Sequence, residues 1–496
     1  MDCEVAVVGG GIGGLTVAAL LAQRGVDVCL FERESQVGGC AVNFEKFDHT
    51  FEQGYGLYSS WQRHDIHDRI FSELPVSPPE TRVLEPGLVI RLPDHSEVEF
   101  TNNIARFEED LSRSFPECSA EAIEFYRQLL AAATALRRAL ADAPDLLTAT
   151  GSKPANSEYR HEPAASDILS SLPRTISEKM AGVSSRFRGF VDVQLQAMLN
   201  ATSSIVAYPY AALALTAPLE GMFGIRSGSG ALANRLADSI KASGGRIRLD
   251  TPVLRMSYSS AGEAQGLDLL SGETVLASRA IVSNLTLWDT YGKLIGINRA
   301  PLEVRQQLKS LQSWGAYLLY LSMDQDAAER LKASHILNLT EWPAGKEYDP
   351  EANHLMFAAA PAWDPRAPSG KRAVTVHNFT AADEWFSFHT DEAELEARDQ
   401  EMLERCWRRL HLAMPELGSS IEVLDTATPR TFYETTRRRL GMVGSPPEAS
   451  SPGLGLWQAY STPLANTYLI SDTASPGGLA GLSYAALALA NYLTHR

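Results

Sequence analysis

Short apolar runs separated by a glycine turn mark the start of the chain. Glu4–Val8 is an apolar run of strand length, Gly9–Gly14 is the turn, and Leu15–Arg24 places apolar residues at helical spacing. Gly25 is a helix stop, and Asp27–Phe31 is a second apolar run. The order strand, turn, helix, strand predicts the opening of a doubly wound sheet with buried parallel strands.

The same pattern returns in later parts of the chain. Ala231–Ser243 is predicted as a helix, Arg246–Leu249 and Ala280–Asn284 as strands, Thr467–Ser471 as another strand, and Ser483–Tyr492 as the terminal helix. Because these elements repeat the opening type, we predict an α/β fold whose first domain is assembled from separate segments of the chain.

Domain boundaries follow from this division. The first domain is predicted to comprise residues 1–75, 220–300 and 440–496. A second domain, with a mixed sheet and helices, is predicted from residues 76–219 and 301–439.

Three stretches of the second domain have a distinct character. Leu84–Phe100 predicts a meander of strands with turns at Pro86-Gly87 and Pro93-Asp94. Residues 148–165 are polar and contain glycine and proline, which predicts a mobile loop or lid insertion. Val193–Leu219 carries no charged residue, although it contains polar residues and two prolines. It is predicted to form the wall of an apolar cavity, or a surface that touches lipid without crossing it.

Composition and charge narrow the functional classes. The 496 residues carry a net charge of −16, which disfavours a nucleic-acid partner because phosphates would be repelled. The five cysteines are far apart and show no metal-ligand spacing, so we expect no metal site and a reducing cytoplasmic environment. Neither a signal peptide nor a purely apolar run of about 20 residues is recognised. Oligomeric state is not indicated.

The glycine turn predicts a nucleotide site. Gly9–Gly14 satisfies G-x-G-x-x-G, in which glycines permit the tight turn and the close approach of a pyrophosphate to the helix N-terminus. Glu32 ends the second strand, where it would accept hydrogen bonds from the adenosine ribose. These features alone fit NAD and FAD equally.

Later motifs carry a family resemblance. Val37-Gly38-Gly39-Cys40 follows soon after Glu32, and Ser471-Asp472 precedes Pro476-Gly477-Gly478-Leu479-Ala480-Gly481 near the C-terminus. The chain resembles the FAD-dependent amine oxidase and phytoene desaturase superfamily at these motifs. Cys40 stands where many members have arginine, which favours the carotenoid isomerase and retinol saturase branch. Ser471 replaces the usual glycine.

The resemblance implies a discontinuous Rossmann-like FAD-binding domain of the glutathione-reductase type, and FAD as the cofactor. Non-covalent binding is expected, since tethering cysteines in relatives lie near the C-terminal motif and no cysteine follows Cys406. Asp472 is expected to face ribityl or pyrophosphate oxygens. The expected cofactor-binding residues are Gly9, Gly11, Ile12, Gly13, Gly14, Glu32, Arg33, Gly38, Gly39, Cys40, Gly54, Tyr55, Gly56, Leu57, Val253, Asp472, Gly478, Leu479 and Ala480.

The resemblance also implies a substrate. Relatives of this branch act on long apolar polyenes, so we expect desaturation, saturation or isomerisation of double bonds in an isoprenoid-like substrate, with peripheral membrane contact left open. Candidate pocket residues are Tyr208, Met222, Tyr317, Trp457 and Tyr460.

No convincing acid–base pair is present in the sequence. His49 and Glu52 are weak catalytic candidates, and a structural role is favoured for both. The basic run Arg437–Arg439 would suit lipid phosphates, but such a run is usually a solvated face.

Two other functions fit the same scaffold. One is a flavin oxidase or desaturase of an amine, an amino acid or a carrier-tethered natural-product intermediate. The other is a non-catalytic prenyl-binding protein, which Glu32, Gly39 and Asp472 argue against because such a protein has no need for both ends of an FAD site.

Overall fold

The computed structural model describes residues 2–144, 146, 174–343, 348–387, 391–451 and 460–495. The predicted insertion at 148–165 lies outside the described residues. Helices and short helical turns occur at Ile12–Gln23, Ile66–Glu73, Ile104–Ser114, Ser119–Asp142, Ser185–Leu199, Tyr208–Glu220, Gly228–Ala242, Leu287–Asp289, Leu302–Ser310, Gln325–Arg330, Pro350–Asn353, Glu392–Ala413, Pro429–Thr436 and Gly478–His495.

A mostly parallel sheet contains the opening strand at its centre. In the described part of the chain it has seven strands. Its order is Val253–Tyr258, Ala264–Leu269, Thr274–Ser283, Cys3–Val8, Val28–Phe31 and Arg246–Arg248, and Thr467–Leu469 also pairs with Thr274–Ser283. The pairs that involve Cys3–Val8, Arg246–Arg248 or Thr467–Leu469 are parallel, whereas Val253–Tyr258 and Ala264–Leu269 form an antiparallel extension. The α/β prediction is confirmed.

Three helices cover one face of this sheet. Ile12–Gln23 packs between Gly228–Ala242 and Gly478–His495, and eleven of its twelve residues are buried. Its sequence is therefore apolar all round rather than amphipathic, as expected for a helix enclosed on every side. This packing fixes the N-terminus of the helix, and with it the glycine turn, against the ends of the strands.

A second, mostly antiparallel sheet lies on the other side of the molecule. Its order is Ile421–Ala427, Gly315–Asp324, Lys371–Thr380, His354–Ala359, His335–Leu339, Leu88–Arg91 and Glu97–Phe100. One face packs against the helix Glu392–Ala413. Two strand pairs stand apart: Phe44–Lys46 with His49–Phe51, and Thr81–Leu84 with Met222–Ile225.

The predicted meander at Leu84–Phe100 is wrong in part. Leu88–Arg91 and Glu97–Phe100 form a hairpin, but Thr81–Leu84 leaves this sheet and pairs with Met222–Ile225. Leu88–Arg91 instead pairs in parallel with His335–Leu339, a strand that the sequence did not predict. Such long-range pairings depend on tertiary packing and leave no local signal.

Aromatic side chains form the core of the helical layer beside the second sheet. Phe107 packs on Tyr126 with ring centroids 4.9 Å apart, and Phe187 lies 5.8 Å from Phe190. None of the helices in the described residues has both the length and the apolar character needed to cross a membrane.

Candidate active site

A long cavity of about 1170 Å³ runs between the two sheets. Its wall includes the glycine turn and Glu32, at the carboxyl ends of the parallel strands, where ligands bind in doubly wound folds. Another part of the wall is formed by the loop Gly54–Leu57 and by strand residues of the second sheet, including Ala316 and His377.

Glu32 holds the glycine turn in shape. The Gly10 amide donates a hydrogen bond to Oε2 of Glu32 at 2.6 Å, and the Glu34 amide donates to Oε1 at 2.9 Å. The Gly38 amide donates to the Gly10 carbonyl at 2.8 Å, which ties the second glycine pair to the first. Each carboxylate oxygen of Glu32 keeps acceptor capacity for a sugar hydroxyl.

Packing requires glycine at Gly14, the third glycine of the motif. A Cβ on Gly14 would lie 2.3 Å from the Gly9 carbonyl oxygen and 2.9 Å from Cβ of Asn284. The side chain of Asn284 is fixed because its Nδ2 donates to the Ile470 carbonyl at 2.5 Å. The helix N-terminus therefore stays close to the strands and presents free amides, which suits a pyrophosphate.

An ion pair lies at the C-terminal side of the cavity. Nη1 of Arg438 donates to both carboxylate oxygens of Asp472, at 3.0 Å and 2.9 Å. The guanidinium also donates to the carbonyls of Met442 and Gly444. Arg438 is 9% exposed, so the interpretation of the basic run as a solvated face is wrong for this residue.

Cys40 lies on the same wall and is exposed there. Its Sγ is 3.9 Å from Nη1 of Arg438. Desolvation raises the pKa of the thiol, and the positive charge of Arg438 offsets this only in part. The side chain is therefore a neutral thiol at neutral pH and not a reactive thiolate.

Most of the predicted cofactor residues share this cavity. Gly14 packs behind the turn, and Ala480 lines an adjoining cavity. The predicted residues on the wall of the large cavity are Gly9, Gly11, Ile12, Gly13, Glu32, Arg33, Gly38, Gly39, Cys40, Gly54, Tyr55, Gly56, Leu57, Val253, Asp472, Gly478 and Leu479.

Glu52 is the centre of a buried polar network. Its Oε1 accepts hydrogen bonds from the hydroxyl of Tyr58 at 2.5 Å and from the Ser229 amide at 2.8 Å. Its Oε2 accepts from Nη1 of Arg366 at 2.7 Å, and Arg366 also pairs with Asp364. Both carboxylate oxygens are engaged by protein donors, and this geometry supports a structural role.

His49 is also fully engaged. Its Nδ1 lies 2.7 Å from the Phe47 carbonyl and its Nε2 lies 2.9 Å from Oγ of Ser322. The ring is 4% exposed and is not part of the described wall of the large cavity. Its position likewise supports a structural role.

A second cavity of about 470 Å³ adjoins the first, and the two share Tyr55, Leu57, Met198 and Leu479 in their walls. Seven of its described lining residues come from the uncharged stretch 193–219, for which a cavity wall was one of the two predictions. Those lining residues are Ala197, Met198, Leu199, Tyr210, Leu213, Ala214 and Ala217. The one charged side chain in its described wall is Arg137, which is paired with Glu220 and donates to Oγ1 of Thr216.

Of the predicted pocket residues, some line a cavity and others lie elsewhere in the structure. Met222 lines the second cavity, and Trp457 lies outside the described residues. Tyr317 faces away from both cavities: its hydroxyl donates to Oδ1 of Asp399 at 2.6 Å, because strand alternation turns it toward the helix Glu392–Ala413.

Two further tyrosines also lie elsewhere. Tyr208 is buried in the helical layer, where Nζ of Lys179 lies 5.6 Å from its ring centroid. Tyr460 packs near Tyr492, with centroids 6.0 Å apart. Neither is in the described wall of either cavity.

The sequence matches the family described as flavin containing amine oxidoreductase over residues 12–436. The chain belongs to this family. A flavin is therefore its cofactor, and the glycine cradle, Glu32 and the volume of the large cavity fit such a group. The family prediction from the sequence is confirmed.

Similar proteins in this family carry specific names. The all-trans-retinol 13,14-reductase of Danio rerio is 24% identical, over 100% of this chain and 86% of the relative. The chloroplastic prolycopene isomerase of Daucus carota is 23% identical, over 96% of this chain and 77% of the relative. The crystal structure of an oxidoreductase from Methanosarcina mazei superposes with a TM-score of 0.63 at 16% identity, covering 98% of this chain and 99% of that one.

Several polar residues of the large cavity were not predicted from the sequence, among them Arg438 and His377. Arg438 was interpreted as exposed, and only its pairing with Asp472, far along the chain, shows its role in the wall. His377 lies beside other polar residues of its strand, such as Thr375 and Asn378, so its residue type alone does not distinguish it. Neither position had a local signal that would have distinguished it.

Proposed function

We propose that the protein is an FAD-dependent oxidoreductase that desaturates, saturates or isomerises carbon–carbon double bonds of an apolar, isoprenoid-like polyene. One observation carries the proposal. The large cavity shares Tyr55 and Leu57 with a second cavity, in whose described wall Arg137 is the one charged side chain and is paired with Glu220. A cavity with little charge in its wall, next to a flavin site, suits an uncharged substrate.

The names of relatives support this substrate class. The relative from Danio rerio is named for retinol and the relative from Daucus carota for prolycopene, and both align with nearly the whole chain. Both names refer to changes at double bonds of long conjugated apolar molecules.

The residues of the large cavity have separate roles in the proposal. The turn Gly9–Gly14 binds the pyrophosphate, Glu32 binds the adenosine ribose, and the Val253 main chain meets the adenine. Asp472, oriented by Arg438, faces the ribityl or pyrophosphate oxygens and accepts hydrogen bonds from the ribityl hydroxyls. When bound, the flavin supplies a ring that exchanges a hydride with the substrate.

The second cavity is proposed to position the substrate beside the flavin. Its mostly uncharged walls orient the polyene along the flavin and exclude water from the reacting bond. We propose that FAD is held without a covalent bond. We also propose that the substrate reaches the cavity from a membrane surface that the protein contacts peripherally. Flotation with lipid vesicles tests the membrane contact.

The division into an FAD-binding domain of residues 1–75, 220–300 and 440–496 and a substrate-binding domain of residues 76–219 and 301–439 is part of the proposal.

The experiment that tests the function is a substrate panel under anaerobic conditions. Holoprotein is mixed with conjugated polyenes, polyene alcohols, primary amines and amino acids, and the flavin absorbance and the products are followed. For the reductive direction, chemically reduced holoprotein is mixed with the same polyenes. The proposal is supported if polyenes reduce the oxidised flavin, if they reoxidise the reduced flavin, or if a rearranged polyene is formed. Reduction by amines alone, with polyenes unchanged, contradicts it.

A further inference from the structure

Arg137 places a charge in the wall of the second cavity, which is otherwise uncharged in the described residues. It lies on the helix Ser119–Asp142, and Leu140 follows it one turn later. Because residues three positions apart share one face of a helix, both side chains lie on the side that borders the cavity. The side chain of Arg137 is 21% exposed, so part of it remains accessible to a ligand.

The guanidinium of Arg137 keeps donors for a ligand. In the described part of the chain, its Nη1 donates to Glu220, and its Nη2 donates to Oγ1 of Thr216 at 3.1 Å. A guanidinium has five N–H groups, so three lie outside these two contacts. An occupant that covered Arg137 with hydrocarbon alone would leave these donors without partners, and its affinity would be lowered.

The charge of Arg137 is balanced from outside the cavity. Glu220 is the last residue of the helix Tyr208–Glu220 and is not part of the described wall of the second cavity. The ion pair is already neutral as a whole, so the remaining donors do not require an anion. A ligand carboxylate would also meet the negative charge of Glu220, which favours a neutral acceptor oxygen.

The hydroxyl of Tyr484 belongs to the same part of the wall. Tyr484 lines the second cavity and packs against a cluster that includes Ala139 and Leu140, on the helix that carries Arg137. Burial raises the pKa of Tyr484 to about 12, so the phenol is protonated at neutral pH and can donate a hydrogen bond. An apolar ring with a polar tip suits a cavity whose occupant is mostly apolar.

These polar groups lie apart from the wall that borders the flavin site. Tyr55, Leu57 and Leu479 are among the residues that line both cavities, whereas Arg137 and Tyr484 are in the described wall of the second cavity alone. A ligand whose polar end lies at Arg137 therefore directs its apolar chain toward the flavin site.

We propose that Arg137 and Tyr484 bind a neutral oxygen, in a hydroxyl or carbonyl group, at one end of the polyene substrate. This inference rests on the proposed function and narrows it, because the substrate becomes an apolar chain with an oxygen function rather than a pure hydrocarbon. Arg137 donates with the N–H groups that Glu220 and Thr216 leave over, and Tyr484 donates with its hydroxyl. Both residues determine specificity by fixing which end of the chain lies away from the flavin.

Two variants remove the proposed contacts. Tyr484→Phe removes the hydroxyl and keeps the ring. The double variant Arg137→Leu/Glu220→Gln removes the guanidinium without leaving its partner carboxylate unpaired. The matched control is Arg127→Leu/Glu108→Gln, because Arg127 lies on the same helix, pairs with Glu108, and is outside the described walls of both cavities. Thermal unfolding and flavin content confirm that each variant is folded and loaded, and Tyr484→Phe carries the test if the double variant does not fold.

The readout is the preference among ligands of one chain length. Holoprotein is titrated with a polyene alcohol, the corresponding hydrocarbon and the corresponding carboxylic acid, and the dissociation constants are taken from the change in flavin absorbance. We expect the wild type to bind the alcohol about tenfold more tightly than the hydrocarbon, and more tightly than the acid. The preference for the alcohol should fall to within about twofold in the double variant and by about threefold in Tyr484→Phe, and the control should keep it.

The outcomes separate this inference from the proposed function. If the wild type acts on polyenes but binds alcohol and hydrocarbon equally, or if both variants keep the full preference, the inference is overturned and the proposed function stands. Tighter binding of the acid would overturn the neutral end group. An equal loss of preference in Arg127→Leu/Glu108→Gln would assign the effect to the helix and overturn the role of Arg137. If the holoprotein neither binds nor converts any polyene, the proposed function fails together with the inference.

Discussion

Replacing Glu52 by glutamine separates a structural from a catalytic role for this carboxylate. Glu52 is 6% exposed and is paired with Arg366, which is 8% exposed. Glutamine keeps the size of the side chain and an acceptor for Tyr58 and the Ser229 amide. It removes the charge that balances Arg366, and it directs an amide N–H toward the guanidinium.

The structure sets the size of the effect. Removing one partner of a buried ion pair costs about 3–5 kcal/mol, and Asp364, which still pairs with Arg366, places this case near the lower end. With about 2–4 °C per kcal/mol for domains of 150–250 residues, Tm should fall by roughly 6–12 °C. Thermal unfolding of the holoprotein, followed by tryptophan fluorescence, measures this shift.

The control is Glu73→Gln on the surface. Glu73 pairs with Arg24 at 2.9 Å, but its side chain is 41% exposed, so the expected loss is below about 1 kcal/mol. Flavin content and turnover of folded Glu52→Gln should stay within a few-fold of the wild type. A wild-type Tm combined with a hundredfold loss of turnover would refute the structural role and make Glu52 catalytic.

Three further predictions concern the two cavities and the pH dependence. Glu32→Ala should raise the FAD dissociation constant at least about tenfold in a fluorescence titration, since it removes the ribose acceptor and frees the Gly10 amide. Exposed Glu73→Ala, outside the described cavity walls, should leave it unchanged, and equal affinities of the two variants would remove Glu32 from the site. Ala214→Trp should fill the apolar cavity and raise KM for a polyene without changing FAD affinity, and an unchanged KM would place the substrate elsewhere. Burial lowers the pKa of His335 to about 4 and that of His377 to about 3, from 6.5, so the unfolded chain binds protons that the folded chain does not as the pH falls below 6.5. Tm should therefore fall between pH 7 and pH 5, and a constant Tm would contradict the burial of these rings.

The cofactor half of the molecule was predictable from local sequence. The glycine turn, the helix after it and Glu32 lie within one short stretch, and each has a physical requirement that few other sequences meet. Gly14 illustrates this, since any side chain there would collide with the Gly9 carbonyl. The uncharged stretch 193–219 was also informative, because a long run without charge has to face an apolar environment.

The remaining parts of the site depend on contacts between distant residues. Glu52 and Arg366 are 314 positions apart, and Arg438 is drawn into the wall only by Asp472 and nearby carbonyls. The orientation of Tyr317 depends on which face of its strand the helix Glu392–Ala413 covers. No window of sequence contains that information, so aromatic residues chosen by type alone were mostly placed in ordinary cores.

The central claim is that the cavity between Glu32 and Tyr55 holds one FAD without a covalent bond. The direct measurement is the absorbance spectrum of the purified protein before and after heat denaturation, with the released flavin quantified by chromatography. We predict a flavin spectrum and about one FAD per chain in the supernatant. A colourless protein that cannot be reconstituted with FAD, or flavin that stays with the denatured chain, would contradict the claim.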